Sequence, residues 1–191
     1  MISLAARELA TVVERALARL GYPPGLAVAG ADFLVAGELE RPVYAELLAD
    51  LLPVVDGLAG MELPHIRTGR RETAVDGQGA IALVIGPTVV DLLELADASS
   101  AAPVVVASNA VGGPLLAAVA PAARERGLVV TVDTELDGAT CSVTGRCAPV
   151  PSASRLASYV ELPRPVWNAL LERANGVLAP ATAESRLDAG Y

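Results

Sequence analysis

The chain has 191 residues and a net charge of -8; all 14 of its basic residues are arginine, and it has one histidine, His65. That inventory excludes a Schiff-base lysine, a phosphate-loop lysine and a histidine-rich metal centre. The acidic balance argues against nucleic acid, whose phosphates need a basic field.

The length suits one domain. Hydrophobic residues make up 53% and aromatics 3%. Small aliphatics suit tight helix-on-sheet packing, and their excess points to apolar surface shared between subunits, hence a homo-oligomer or a partner subunit. Apolar stretches such as Ala80–Ile85 and Val104–Ala107 are strand-sized and far short of the ~20 residues that span a membrane. The opening MISLAAREL carries Arg7 and Glu8 in a helical pattern, unlike a signal peptide. Two cysteines without such a signal read as reduced thiols, so the expected location is cytoplasmic. Arginine without lysine, with abundant Ala, Gly and Pro, matches a GC-rich bacterial origin.

In chain order, Ser3 is placed to cap a helix through Leu4, Leu9, Val12, Val13, Ala16, Leu17 and Leu20, ended by Gly21 and Pro23-Pro24. Further helices are expected over 25–38 and 42–52. Residues 53–71 read as loop. Glu72–Val75 and Ala80–Ile85 read as strands around a hairpin turn, Asp76-Gly77-Gln78-Gly79. Gly86-Pro87-Thr88 then opens a helix. Pro103–Ala107 reads as a strand, Ser108–Gly113 as a turn, and Pro114 as a helix start, with Gly127 as its end. Leu128–Thr134 and Ala139–Thr144 flank a second hairpin turn at Asp137-Gly138. Residues 103–133 suggest a βαβ unit with a parallel pair. Leu156–Glu161 reads as an edge strand and Pro165–Asn175 as a helix before an irregular tail. The expected fold is α/β (α+β): a helical N-terminal region over 1–58, a mixed sheet with packed helices over 59–176, and a tail over 177–191.

Four stretches could carry chemistry. Residues 62–72 hold His65, Arg67, Arg70 and Arg71. Guanidiniums so close could clamp a carboxylate or phosphate, beside an imidazole suited to acid/base work; the plainer alternative is a solvated loop. The turn Ser108-Asn109-Ala110-Val111-Gly112-Gly113-Pro114 joins a strand to a helix start, where amides and the dipole attract anions. It lacks both the GxGxxG pattern and a phosphate-loop lysine, and the plainer alternative is a tight connection. Cys141 and Cys147 are not a CxxC pair and read as structural thiols. The tail holds Glu184, Ser185 and Arg186, an acid, a hydroxyl and a guanidinium together, although tails are often frayed.

The segments GYPPGLA (21–27), IGPTVVDLL (85–93), APVVVASNAVGGPLLAAVAPAARERG (102–127) and the terminal WNALLERA and APATAESR resemble, in this order, a bacterial family of domain of unknown function 3726. The resemblance adds weight to Pro180, Ala181, Thr182, Ser185 and Arg186 and implies no established reaction. The first 40 residues and VDGQG (75–79) are also similar to the malate/L-lactate dehydrogenase family, whose members are about twice as long. ELPHIR (62–67) echoes a histidine-containing motif of that family, which favours His65. This likeness does not imply nicotinamide binding.

The function expected from the residues is a cytosolic, metal-free enzyme of lyase, isomerase or cyclase type acting on a small anionic molecule. His65 and Glu184 would move protons, and Arg67, Arg70, Asn109, Gly112, Gly113, Ser185 and Arg186 would bind the anion, with no metal or cofactor. The alternatives are a non-catalytic partner subunit or a small-ligand binding protein.

Overall fold

The computed structural model describes residues 1–55, 63–69, 72–97, 103–149 and 158–175. Its elements are β1 (Ile2–Ala5), α1 (Ala6–Arg19), α2 (Pro24–Glu40), α3 (Tyr44–Val55), β2 (His65–Thr68), β3 (Glu72–Asp76), α4 (Ala82–Asp97), β4 (Val104–Ser108), a 3-10 helix (Gly113–Ala118), α5 (Val119–Glu125), β5 (Leu128–Thr134), β6 (Ala139–Arg146), β7 (Tyr159–Leu162) and α6 (Arg164–Asn175). The fold is a mixed α/β arrangement with a helical N-terminal region, as the residue pattern implied.

Helix α1 shows apolar residues at helical spacing, and Leu9, Val13, Ala16 and Leu17 are fully buried. Its start differs from expectation. Ser3 lies in β1, opposite Glu161 of β7. The Glu8 carboxylate instead accepts the Ala5 N–H at 2.9 Å. Gly21, at φ +91°, turns the chain out of the helix.

Helix α2 is apolar on nearly every side, so it runs through the middle of the helical layers. It packs against α1 on one side and against α4 and α5 on the other. Pro87 sits inside α4, which leaves the Leu83 carbonyl without its intrahelical donor. Helix α2 crosses close by at Gly30, where an added Cβ would stand 2.8 Å from that carbonyl oxygen.

The main sheet has the order β2-β3-β4-β6-β5, and β1 and β7 form a separate two-stranded sheet. Within the five strands only β3 and β4 pair in parallel. Helix α4 joins them, so the βαβ unit is β3-α4-β4. The expected unit at 103–133 does not hold, because β6 lies between β4 and β5 and pairs antiparallel with both. One face of the sheet is core: Val75, Val105, Ala107, Ala139 and Cys141 are buried under α4, the 3-10 helix and α5.

Two further expectations are corrected. Ala80–Ile85 is not the second arm of a hairpin; it enters α4, with Ile81, Leu83 and Ile85 fully buried. A short apolar run buried on all sides has no period by which to tell strand from helix. The stretch expected as loop over 53–71 contains β2, whose four residues are all exposed. An edge strand with polar side chains on both faces carries no alternation to read.

Candidate functional site

The parallel pairing of β3 and β4 brings their carboxyl ends to one edge of the sheet, with Asp76 beside Ser108. Strand β2 begins at the same edge, with His65 opposite Asp76. Residues opposite one another in an antiparallel pair share a face, so His65, Asp76 and, two residues on, Arg67 form one surface.

The two turns that leave these strands hold each other. Gly77 N–H donates to the Ser108 carbonyl at 2.8 Å and Gly79 N–H to the Asn109 carbonyl at 2.9 Å. Val111 N–H donates to Ala80 at 3.0 Å, and Ala82 N–H returns to Val111 at 2.9 Å. Ala110 N–H reaches Asp137, on the β5–β6 turn, at 3.1 Å. Among the described residues the two non-glycine positions with positive φ lie here: Gln78 at 52° and Asn109 at 55°. Asparagine tolerates the left-handed region, whereas glutamine is strained there. The strain is held by the Asp76 carboxylate, which accepts the Gln78 N–H at 3.1 Å and the Asn109 side-chain amide at 3.0 Å. These bonds, Asn109 first, hold the Asp76 carboxyl below its usual range, and the positive charges of Arg67 and His65 add to them. Asp76 thus stays ionised beside an exposed imidazole and an exposed guanidinium. Such a set can orient a histidine, exchange a proton and attract an anion.

The other candidate residues fall elsewhere. Gly112, at φ +79°, turns its open side onto the Leu51 side chain. At Gly113 an added Cβ would stand 2.6 Å from the Leu136 carbonyl oxygen and 2.8 Å from the Gly138 nitrogen. Both therefore face protein, against α3 and the β5–β6 turn. The helix after Pro114 begins as a 3-10 segment of six residues. Arg70, Glu184, Ser185 and Arg186 lie outside the described residues, as does Arg71. Cys141 is fully buried and its thiol is pushed up to about 12 by burial, while Cys147 is exposed.

Nothing in the sequence around Asp76 separates it from the chain's other carboxylates. Its partner, Asn109, lies 33 residues away, and only the pairing of β3 with β4 joins them. Gln78 gives no signal in a sequence read as a hairpin turn. Away from this cluster a half-polar hollow, of about 310 Å³, lies between α2, α4 and α5 and is lined by Asp32, Phe33, Glu125 and Arg126 among others. There Arg126 bridges Asp91 and Glu94. Among the described residues no three histidine, cysteine or acidic side chains cluster to hold a metal ion, and no described helix is long and apolar enough to cross a membrane.

No family model matches the chain, so the resemblance to the family of unknown function 3726 gains no support from that side. No curated protein matches it either. Solved structures do. Malate dehydrogenase from Pyrococcus horikoshii is similar at 27% identity and a TM-score of 0.51, over 66% of this chain and 38% of that one. A dehydrogenase from Sinorhizobium meliloti is similar at 22% identity and a TM-score of 0.52, over 66% and 41%. Malate dehydrogenase from Entamoeba histolytica, at 15% identity and a TM-score of 0.52 over 69% and 39%, shares the fold. The matched region spans about two fifths of the length of these dehydrogenases. The weaker of the two resemblances, to malate dehydrogenases, is thus the one the fold shares. The expectation of a metal-free lyase, isomerase or cyclase is corrected by these neighbours, all of them dehydrogenases.

Proposed function

We propose that this chain is an oxidoreductase module of dehydrogenase type whose strand-end cluster handles a small 2-hydroxy or 2-oxo acid. The observation that supports this is the array His65–Asp76–Asn109 at the carboxyl ends of a parallel strand pair, in a fold similar to a malate dehydrogenase at 27% identity. Ligands of open α/β sheets gather at such strand ends.

Oxidising a 2-hydroxy acid removes a proton from the hydroxyl and a hydride from the carbon that bears it. In this reading His65 takes the proton, and the fixed negative charge of Asp76 orients and steadies the imidazolium that results. Asn109 holds Asp76 in place as a positioning residue. Arg67, on the same face, meets the substrate carboxylate. The hydride needs a two-electron acceptor. A dinucleotide does not fit the two turns at this edge, because the N–H groups of Gly77, Gln78, Gly79, Ala80, Ala110 and Val111 already donate within the protein and offer no cradle to a pyrophosphate. No step is assigned to a dinucleotide held there.

The test is isothermal titration calorimetry with L-malate, D-malate, L-lactate and oxaloacetate. The three hydroxy acids are then assayed for dye reduction with an oxidised nicotinamide dinucleotide supplied in solution, and oxaloacetate for oxidation of the reduced dinucleotide. The reading expects one acid to bind the wild type, with at least ~tenfold weaker binding for Arg67→Ala. His65→Gln should bind the acid but lose turnover. Absence of binding and of turnover with every acid refutes the reading, and so does turnover that survives His65→Gln.

A further inference from the structure

We propose that the face of the five-stranded sheet on which no described helix packs docks a second copy of this chain, packed face to face about a two-fold axis running along β4. Registers determine what that face presents. Arg67 pairs with Ala74, Ala74 with Val106, Val106 with Thr140, and Thr140 with Asp133. These five residues form one row across all five strands. Their neighbours along the strands, Val75, Val105, Ala107, Cys141 and Ala139, are buried on the other face. Among the described residues the row therefore lies on the side that carries no helix, with a cation at one edge, Ala74, Val106 and Thr140 in the middle and an anion at the other edge.

A two-fold axis along the central strand lays β2 of one copy over β5 of the other. It sets Arg67 above Asp133 of the second copy, Asp133 above Arg67, and Val106 against Val106. The complementarity is a consequence of the order β2-β3-β4-β6-β5 and the shared row, and the contact is isologous, so it closes at two copies. The next row adds Val104 at the centre, beside Glu72 and Ser142. Sheets that pack in this way keep their strands nearly aligned. Five strands ~4.8 Å apart and about five residues long offer roughly 400 Å² per copy. That is the size of a reversible contact, not of a permanent one.

The inference does not depend on the oxidoreductase reading, although both use Arg67. A bound carboxylate would compete with Asp133 of the second copy, so the test uses ligand-free protein. Sedimentation velocity of the full chain is run from ~1 to ~200 µM. The expected result is a reversible rise from monomer to dimer mass. Arg67→Glu and Asp133→Arg should each weaken the dimer at least ~tenfold, because each change turns two attractive contacts into two repulsive ones. The double variant should return to within ~threefold of the wild type, and recovery also shows that both substitutions fold. Val106→Arg should leave only monomer, with a circular-dichroism melt matching the wild type; Val106→Ser serves if that variant does not fold. A monomer throughout the range overturns the proposal. So does a dimer that ignores all the substitutions, or a double variant no stronger than the singles.

Discussion

Glu38 is the one buried charged side chain among the described residues, 3% exposed, and its substitution tests how the helical region is joined. It projects from α2 and accepts the Ala45 N–H at 2.9 Å, with the Tyr44 and Val43 amides also bonded to it. Its carboxyl group thus serves the free N–H groups at the start of α3, a task usually done by a residue of the same helix. Burial pushes its pKa up, the three amides pull it down, Glu46 pushes it up, and burial prevails. Glu38→Ala removes the acceptor of the Ala45 amide, while Val43 N–H keeps the Arg41 carbonyl, and it opens a small cavity. A lost cap costs ~1 kcal/mol and the buried stem and unsatisfied donors ~2 kcal/mol more. About 3 kcal/mol corresponds to a fall in Tm of roughly 6–12 °C for a chain of this size. Glu38→Gln keeps one acceptor and removes the charge, and should cost less than about 1.5 kcal/mol at neutral pH. A carboxyl whose pKa is raised in the fold binds its proton more tightly there. Its contribution is therefore complete at low pH and lost as pH rises through the folded pKa. Urea unfolding followed by circular dichroism from about pH 4 to 8 should show wild type losing ground to Glu38→Gln as pH rises above the ordinary carboxylate value. A constant difference, or a penalty for Gln that grows with pH, refutes the argument. A cost below about 0.5 kcal/mol for Glu38→Ala refutes the capping role.

Three other outcomes follow from the same structure. Gly138→Ala would drive a methyl group into the Ala107 carbonyl oxygen, so it should destabilise by at least about 2 kcal/mol in chemical denaturation; a neutral result would mean the β5–β6 turn yields easily. In native protein a thiol reagent should label Cys147 and leave Cys141 unreacted, because burial keeps Cys141 protonated; two equally fast thiols would contradict that. Asp76→Asn should flatten the acid limb of stability. The Asp76 carboxyl is held below its ordinary value, so its contribution is present above that value and lost as pH falls through the folded pKa. An NMR titration in which Asp76 ionises in the ordinary range would remove the basis for this.

The parts of the fold that could be read in the sequence are those whose burial has one sidedness. Helix α1 shows its stripe because one face is core and the other is wet. Strand β5, expected and observed at Leu128–Thr134, is bounded by Gly127 and by a turn. Residues where both sides are alike were misread. Helix α4 opens with a run buried all round, and β2 is a strand exposed all round. In neither does hydrophobicity vary with direction, and periodicity is the only signal a single sequence offers. The two errors are linked. Taking Ala80–Ile85 as a strand required a hairpin at Asp76–Gly79, and a hairpin hides the fact that Asp76 ends a strand whose true partner is β4.

The same link explains why the candidate site was only half legible. His65 and Arg67 stood out by chemistry, because few residue types in this chain can move a proton or hold an anion. Asn109 stood out by position, after a strand and before a helix start. What joined them could not be read locally. Asp76 touches Asn109 across a parallel pairing and faces His65 across an antiparallel one, so its place depends on two sheet contacts. The structure also reassigns the glycines of that turn. Gly112 and Gly113 resemble a loop for an anion, yet their open sides meet Leu51 and the Leu136 carbonyl. Small residues in a strand–helix connection let a backbone approach either a ligand or another backbone. Here the turn amides are engaged with Asp76, Ser108, Asn109 and Asp137, which makes the turn a clasp between β3, β4 and the β5–β6 turn. A clasp that holds Gln78 in the left-handed region while keeping Asp76 ionised is a rigid support, and rigid support is what the role proposed for His65 requires.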